Sequence, residues 1–375
     1  MIITLAMRNL FYDKISLAVT LVGILFSVVL VAVQLGIYAG TSRIITSVID
    51  NAEGEIWISA YGTKSIEESG ILTGNERYAA LSTPGVARVY PIVSAFTYWR
   101  KPDGAKQLCV VIGTDLSDGG LLPWNVVEGD LKTLKLPDAI TADQTYFDYL
   151  GISGLDATAE INNQRVRITA VTHGIRSFTT TPYMFTSLKQ ARRLLGMHAD
   201  SASFFLVKLK PDANVSEVQQ ALKYKLPNID ILTKDEFKSR SITHWLFGTG
   251  AGIALIGGAL LGTLVGTVIV AQTLYSSTKD HLNEFATLRA LGSSSPYIHK
   301  VILTQAGLSA IIGYGLGMII AIGIVMLSKN SELPIIMTPN LATGLFVLTF
   351  SMCALSAVSA IVKVTRIDPA MVFSR

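Results

Sequence analysis

The chain has 375 residues, of which 50% are hydrophobic and only 15% are charged, and its formal net charge is +4. Soluble proteins usually have about 25% charged residues, so the composition argues against an ordinary soluble protein. Residues 41–243 have 22 basic and 22 acidic side chains, whereas the rest of the chain has 9 and 5. The neutral middle section argues against a nucleic-acid partner, which would bind a basic surface.

Four stretches without charged residues are long enough to cross a bilayer, which takes about 20 apolar residues. They are residues 17–39, 245–275, 301–328 and 341–362. A signal peptide would have an apolar core of only about 7–15 residues, so the first stretch is predicted to be an uncleaved span. Four crossings place both termini on the same side of the membrane.

The basic residues near the spans predict the orientation. The opposite short loop, residues 329–340, has a single basic residue, Lys329. Because basic residues in short loops favour the cytoplasmic side, the termini and segment 276–297 are predicted to be cytoplasmic and residues 41–243 to lie outside. The basic residues predicted on the cytoplasmic side are Arg8, Lys14, Lys279, Arg289, Lys300, Lys363, Arg366 and Arg375.

The first 15 residues form an amphipathic helical pattern, with Ile3, Met7, Leu10 and Phe11 on one face. Such a helix suits the membrane surface. The alternative is that these residues only extend the first span.

Residues 41–243 have the composition of a folded domain. Alternation of apolar and polar residues indicates strands, and residues 143–150, 187–195 and 215–226 have helical patterns. We therefore predict a mixed α+β domain with an inserted subdomain at about 113–208. Five aromatic residues of this domain are candidates for a substrate path, although core packing is the more common role. They are Trp57, Phe96, Tyr98, Trp99 and Trp124.

Small residues recur at fourfold spacing in the second and third spans. Since small side chains let helix backbones approach closely in lipid, these positions predict helix packing. The packing could lie within one subunit or at a dimer contact, and the spacing leaves both open. The positions are Ala254, Gly258, Gly262, Gly266, Gly313 and Gly317.

The motifs of several catalysts are missing from the sequence. It has no P-loop, no H-E-x-x-H zinc motif and no G-x-S-x-G elbow, and its five histidines show no metal-ligand spacing. No ionisable residue lies in the middle of a predicted span, where an ion-coupled carrier would need one. The two cysteines, Cys109 and Cys353, are predicted to be buried and unpaired.

The polar segment 276–297 lies between the second and third spans, where force applied from the cytoplasm would pass into both. Within it, Glu284 to Gly292, EFATLRALG, resembles the signature of FtsX-like permeases of type VII (MacB-like) ABC transporters. The tail Ile367-Asp368-Pro369-Ala370 and the layout of one span, a large outer domain and three spans are similar to the same family. The runs from Arg8 to Gly36 and from His173 to Gly196 most resemble the DevC/HrtB-type permeases.

This resemblance implies a homodimer, non-catalytic itself, bound to two copies of a separate ATPase that holds ATP and magnesium. A coupling helix from Lys279 to Gly292 would rest in a groove of the ATPase, with Glu284 and Arg289 in polar contacts. Phe285, Leu288 and Leu291 would form the apolar docking side. The alternative is a helix lying on lipid headgroups. Some relatives are expected to use a periplasmic adaptor and an outer-membrane channel.

The expected function is therefore export or extraction of a hydrophobic or amphiphilic substrate by mechanotransmission at the cell (inner) membrane. A second possibility is an FtsX-like transmitter that activates an outer partner such as a cell-wall hydrolase, and a third is a membrane-anchored sensor. The predicted organisation is an N-terminal helix (1–15), spans at 16–40, 244–275, 298–328 and 341–362, an outer domain (41–243), a coupling segment (276–297), an outer loop (329–340) and a cytoplasmic tail (363–375).

Overall fold

The computed structural model describes residues 2–116, 119–328 and 335–365. They form two compact units, one within Met1–Thr41 and Gly250–Arg375 and the other within Ser42–Thr249. Within these described residues, four helices are long and apolar enough to cross a membrane, and an α+β domain lies between the first and the second along the chain. The predicted fold class is therefore confirmed. The tail motif at 367–370 and residues 329–334 of the outer loop lie outside the described residues.

The described chain has eleven α-helices and ten strands. The helices are α1 (Ile2–Tyr12), α2 (Lys14–Asp50), α3 (Asn75–Leu81), α4 (Phe147–Leu150), α5 (Leu188–Leu195), α6 (Val215–Lys225), α7 (Lys234–Ile242), α8 (Ala251–Asp280), α9 (Leu282–Ala290), α10 (Ser295–Leu327) and α11 (Pro339–Thr365). The strands are β1 (Ile56–Ala60), β2 (Val86–Arg100), β3 (Lys106–Thr114), β4 (Val126–Gly129), β5 (Ala139–Asp143), β6 (Thr158–Ile161), β7 (Gln164–Thr172), β8 (Tyr183–Ser187), β9 (Phe204–Leu209) and β10 (Ile229–Thr233).

Strand β2 joins two sheets of the outer domain. Its first half pairs antiparallel with β9, which continues through β1 to β10. Its second half pairs with β3 and β6, and the second sheet continues through β7 and β8, with parallel pairing at β3–β8 and β5–β7. The prediction of a subdomain at 113–208 is therefore wrong at both ends. The second sheet begins inside β2, just after Pro91, and β9 belongs to the first sheet.

The first sheet is buried on both faces because its side chains alternate. Ile56 and Ile58 of β1 pack with α3 and α6, whereas Trp57 points to the other face and packs against Phe204 and Phe237. The last turns of α2 add Val48 to that second cluster. Two layers of apolar contact hold this domain without disulfides.

Cys109 lies on β3 in the core of the second sheet and is fully buried and unpaired. Burial raises the pKa of its thiol to about 12, because the thiolate would lose its hydration there. The thiol is therefore inert at physiological pH, in agreement with the predicted role as a small buried residue.

The membrane helices differ from the predicted spans at their ends. Helix α2 begins after Asp13, whose Oδ1 accepts hydrogen bonds from the backbone N–H groups of Ile15 and Ser16, and it continues to Asp50. The second membrane helix begins only at Ala251, because a π-helical turn and Gly250, with φ of +80°, interrupt the chain before it.

The N-terminal helix α1 is amphipathic, but one of its predicted lipid-facing residues is inside the protein. Ile3, Met7 and Phe11 are exposed on one side, whereas Leu10 is buried with Ala6. Ala6 belongs to the core formed mainly by α2, α8, α10 and α11. The helix therefore packs on its own membrane unit and leaves one apolar stripe free for lipid.

Five of the six predicted packing positions face α2 of the same chain. A Cβ atom added at any of the five glycines would lie under 3.0 Å from a side-chain atom of α2, so these positions are filled within one subunit. The sixth position, Ala254, is exposed. The pairs are Gly258 with Gln34, Gly262 with Leu30, Gly266 with Ser27, Gly313 with Ile24 and Gly317 with Val28. Packing within one subunit therefore accounts for these five glycines, and a dimer contact stays a prediction.

Hydrogen bonds between helices accompany this close approach. Ser27 Oγ of α2 donates to the carbonyl of Gly262 in α8 at 2.9 Å, and Ser356 Oγ of α11 donates to the carbonyl of Thr267 in α8 at 2.8 Å. Inside lipid such bonds and close packing replace the hydrophobic effect as the force between helices. Helix α2 is therefore held by α8 and α10 at short distance.

Gly317 and Gly315 of α10 provide a matched pair for testing this packing. A Cβ at Gly317 would lie 2.8 Å from Val28, whereas a Cβ at Gly315 meets nothing within 4 Å. We expect Gly317→Ala to destabilise the purified protein by about 1–3 kcal/mol through overpacking. Gly315→Ala should be neutral or stabilise by up to about 1 kcal/mol, since alanine favours helix. Thermal unfolding in detergent measures both, and equal midpoints for the two variants would contradict the packing described.

Candidate functional site

Helix α9 is a short polar helix between two membrane-spanning helices, α8 and α10. One residue, His281, separates it from α8, and four residues separate its end from α10. The predicted coupling segment therefore forms a helix, although it begins later than expected. Lys279 lies in the last turn of α8, because α8 runs on to Asp280.

Gly292 ends α9 in a Schellman motif. Its φ is +96°, its N–H donates to the carbonyl of Arg289, and the N–H of Ser293 donates to the carbonyl of Leu288, both at 3.0 Å. A residue with a Cβ rarely adopts this left-handed conformation, so glycine is the suitable residue here. Helix α10 then begins at Ser295, with Ser294 as its N-terminal cap residue and Pro296 in its first turn. The coupling helix was predicted to end at Gly292, and α9 ends just before this residue.

The inner face of α9 is anchored in the membrane unit. Phe285 is only 2% exposed and packs in the cluster of α1, α2, α8, α10 and α11, and Leu288 packs against the same cluster. The prediction that Phe285 lies on the docking side is therefore wrong. Positions 285 and 291 are about 120° apart on a helix of 3.6 residues per turn, so these two residues cannot share one face.

The outer face of α9 is polar with one apolar residue at its end. The Glu284 side chain is 59% exposed and Leu291 is 79% exposed, and Asn283 and Thr287 are exposed beside them. Arg289 is half-buried. Of the seven residues predicted for this site, four lie on the exposed surface: Lys279, Glu284, Leu291 and Gly292.

His281 belongs to the site and was not among the predicted residues. It is 6% exposed, its Nδ1 lies 3.1 Å from Oε1 of Glu284, and its ring meets the Tyr12 ring of α1 edge-on with centroids 5.8 Å apart. The sequence signal for this pair is a histidine followed three residues later by a glutamate, because residues three apart in a helix are neighbours.

The aromatic residues considered for a substrate path are divided between core and surface. Trp57 and Trp99 are fully buried, and the Trp99 Nε1–H donates to the carbonyl of Leu150 at 3.0 Å. Trp124 packs against the first-sheet core. Phe96 and Tyr98 alone are exposed, on the same face of β2. Three of the five are therefore packing residues.

Comparison with known proteins identifies two family matches that cover most of the chain. Residues 17–224 match the MacB-like periplasmic core domain, and residues 256–369 match the FtsX-like permease C-terminal domain. The second match includes α9 and the membrane helices on both sides of it. The first covers more than half of the chain.

Two curated proteins and one solved structure are similar to this chain. A pyoverdine export ATP-binding/permease protein of Pseudomonas fluorescens is 21% identical over 97% of this chain and 58% of its own length. The protein of the same name from Pseudomonas aeruginosa is 22% identical over 86% of this chain and 51% of its own length. The chain thus spans about half the length of these relatives. The periplasmic region of MacB from Actinobacillus actinomycetemcomitans is 12% identical, with a TM-score of 0.39 over 51% of this chain and 94% of that one.

Phe285 and Leu291 test which side of α9 is structural. Phe285→Ala should destabilise the protein by about 3–5 kcal/mol, because it opens a cavity in a packed cluster. Leu291→Ala should change stability by less than about 0.5 kcal/mol, because the side chain is exposed. Thermal unfolding in detergent compares the two. A stable Phe285→Ala variant would contradict the anchored arrangement of α9.

Proposed function

Because the chain belongs to the MacB-like permeases of ABC transporters, we propose that it is the transmembrane subunit that couples ATP hydrolysis on a separate ATPase subunit to movement of its own outer domain. The protein is a membrane protein with an extracytoplasmic domain. In this proposal two ATPase copies, holding ATP and magnesium, bind a homodimer of the chain. The observation that supports it most directly is the outward face of α9.

Helix α9 is suited to transmit force because it is held at both ends and along its inner face. It is joined to α8 by one residue and to α10 by a short link, and Phe285 anchors it in the core of the membrane unit. A partner that pushes on Glu284 and Leu291 therefore moves both neighbouring helices rather than a loose loop. Its polar outer face also distinguishes α9 from a helix lying on lipid, which would expose an apolar stripe.

The orientation in the membrane follows from basic residues. Arg8, Lys14, Lys279, Arg289 and Lys300 all lie near α9 or α1 along the chain. Basic residues in short segments favour the cytoplasmic side, so we place α1, α9 and both termini in the cytoplasm. The ATPase would approach from this side.

Helix α2 is the element proposed to pass movement to the outer domain. It is uninterrupted from Lys14 to Asp50, about 55 Å in length at 1.5 Å per residue. Its first part packs against α8 and α10, and its last turns contribute Val48 to the core of the outer domain. A continuous helix that contributes to both cores supports mechanotransmission.

Two of the relatives are named for export of pyoverdine, which supports export as the direction of transport. We propose that the substrate is a hydrophobic or amphiphilic compound and that a periplasmic adaptor and an outer-membrane channel take part. The large outer domain, with its second sheet, favours transport over a transmitter that only activates a cell-wall hydrolase, since division-type transmitters tend to have a small outer domain. The closer resemblance to DevC/HrtB-type permeases stays a prediction.

Glu284→Lys tests the coupling role against Asn340→Lys, an exposed position at the start of α11. Like charges at an interface cost several kcal/mol, so we expect Glu284→Lys to reduce stimulation of the ATPase at least about tenfold. Asn340→Lys lies at the other end of the spans and should leave stimulation unchanged.

The ATPase is first recovered by pull-down of the tagged protein from its native membranes and identified by mass spectrometry. ATP hydrolysis is then measured with each permease variant in lipid nanodiscs. Failure to recover an ATPase, or unchanged stimulation by Glu284→Lys, would contradict the proposed function.

A further inference from the structure

His281 is the joint between α8 and α9. Its backbone N–H donates to the carbonyl of Ser277, near the end of α8, at 3.2 Å. Its own carbonyl accepts from the N–H groups of Glu284 and Phe285 in α9, both at 3.1 Å. The same residue thus ends one helix and begins the next, so its position sets the angle between them.

The His281 side chain links the exposed face of α9 to α1. Its Nδ1 lies 3.1 Å from Oε1 of Glu284, and its ring contacts that of Tyr12, the last residue of α1. The imidazole is almost fully buried, whereas the Glu284 carboxylate is exposed. A buried imidazole nitrogen therefore lies against an exposed carboxylate oxygen, and the Tyr12 ring packs on that imidazole.

Packing alone does not require this arrangement. Phe285 and Ala286 already fill the space between α9 and the membrane core, at 2% and 3% exposure. An apolar residue at 281 would avoid the desolvation of an imidazole nitrogen, which is unfavourable unless the nitrogen is partnered. The nitrogen is partnered by Glu284, so the interaction is directed at the outer face of α9.

We propose that His281 is a positioning residue that holds the Glu284 carboxylate in place for hydrogen-bond donors of the ATPase, with Tyr12 of α1 packed against its ring. This inference rests on the proposed function, because it assigns a role within the same contact. Fixing a glutamate side chain at an interface costs free energy, and a carboxylate that is already held avoids this cost. The N-terminal helix thereby becomes part of the coupling site.

The test is a double-mutant cycle with purified permease in lipid nanodiscs and the recovered ATPase. His281→Ala and Glu284→Gln should each raise the ATPase concentration for half-maximal stimulation by about two- to tenfold. The maximal stimulated rate should not change. The double variant should need no higher an ATPase concentration for half-maximal stimulation than the more impaired single variant. His281→Asn should restore wild-type behaviour, because its amide nitrogen lies where Nδ1 does. His173→Ala, an exposed histidine of the outer domain, is the matched control.

Three results would overturn the inference while leaving the proposed function intact. In the first, the fold-changes of the two single variants multiply in the double variant. In the second, the maximal stimulated rate falls while the ATPase concentration for half-maximal stimulation is unchanged. In the third, His281→Asn does not restore that concentration to the wild-type value. If wild-type permease does not stimulate the ATPase at all, the proposed function itself fails. Should His281→Ala not remain monodisperse, Tyr12→Ala replaces it in the cycle, with the same expected and contradicting results.

Discussion

The burial of Phe285 is the contact on which the proposed mechanism depends. A nine-residue helix at the membrane surface has little stability alone, since isolated helices of this length are marginal in water. Phe285 ties α9 to the core of the membrane unit, and Gly292 ends it cleanly before α10 begins. The outer residues are then displayed on a fixed helix, so a push on them is not absorbed by bending of a loop.

The same requirement for rigidity explains the glycines of the membrane unit. Gly262 and Gly266 in α8 and Gly317 in α10 let α2 approach within contact of their backbones, where Ser27 adds a hydrogen bond between helices. Close packing of this kind leaves few alternative arrangements, because interiors at this density move between discrete packings rather than deform continuously. Movement of α8 or α10 is therefore expected to reach α2 as a displacement of a whole helix.

Much of this organisation could be predicted from sequence because the signals are local. Uncharged stretches indicate the membrane helices, and Gly292 marks the end of α9 without reference to distant residues. Features set by tertiary packing could not be predicted. Phe285 fits an exposed docking stripe as well as a buried anchor, and only the neighbouring helices decide between them. Pro91 lies close to the point where β2 passes from one sheet to the other, but a single proline does not say which strands pair on either side. Tyr12, the contact of His281 in α1, is far away along the chain.

Photo-crosslinking in intact cells tests most directly the claim that α9 presents Leu291 to a cytoplasmic ATPase while Phe285 faces inward. A photoreactive phenylalanine analogue is placed at position 291 or at position 285, and products are identified by mass spectrometry. The account predicts crosslinks from position 291 to an ABC ATPase and from position 285 only to the permease itself. Crosslinks to the ATPase from position 285, or none from position 291, would contradict it.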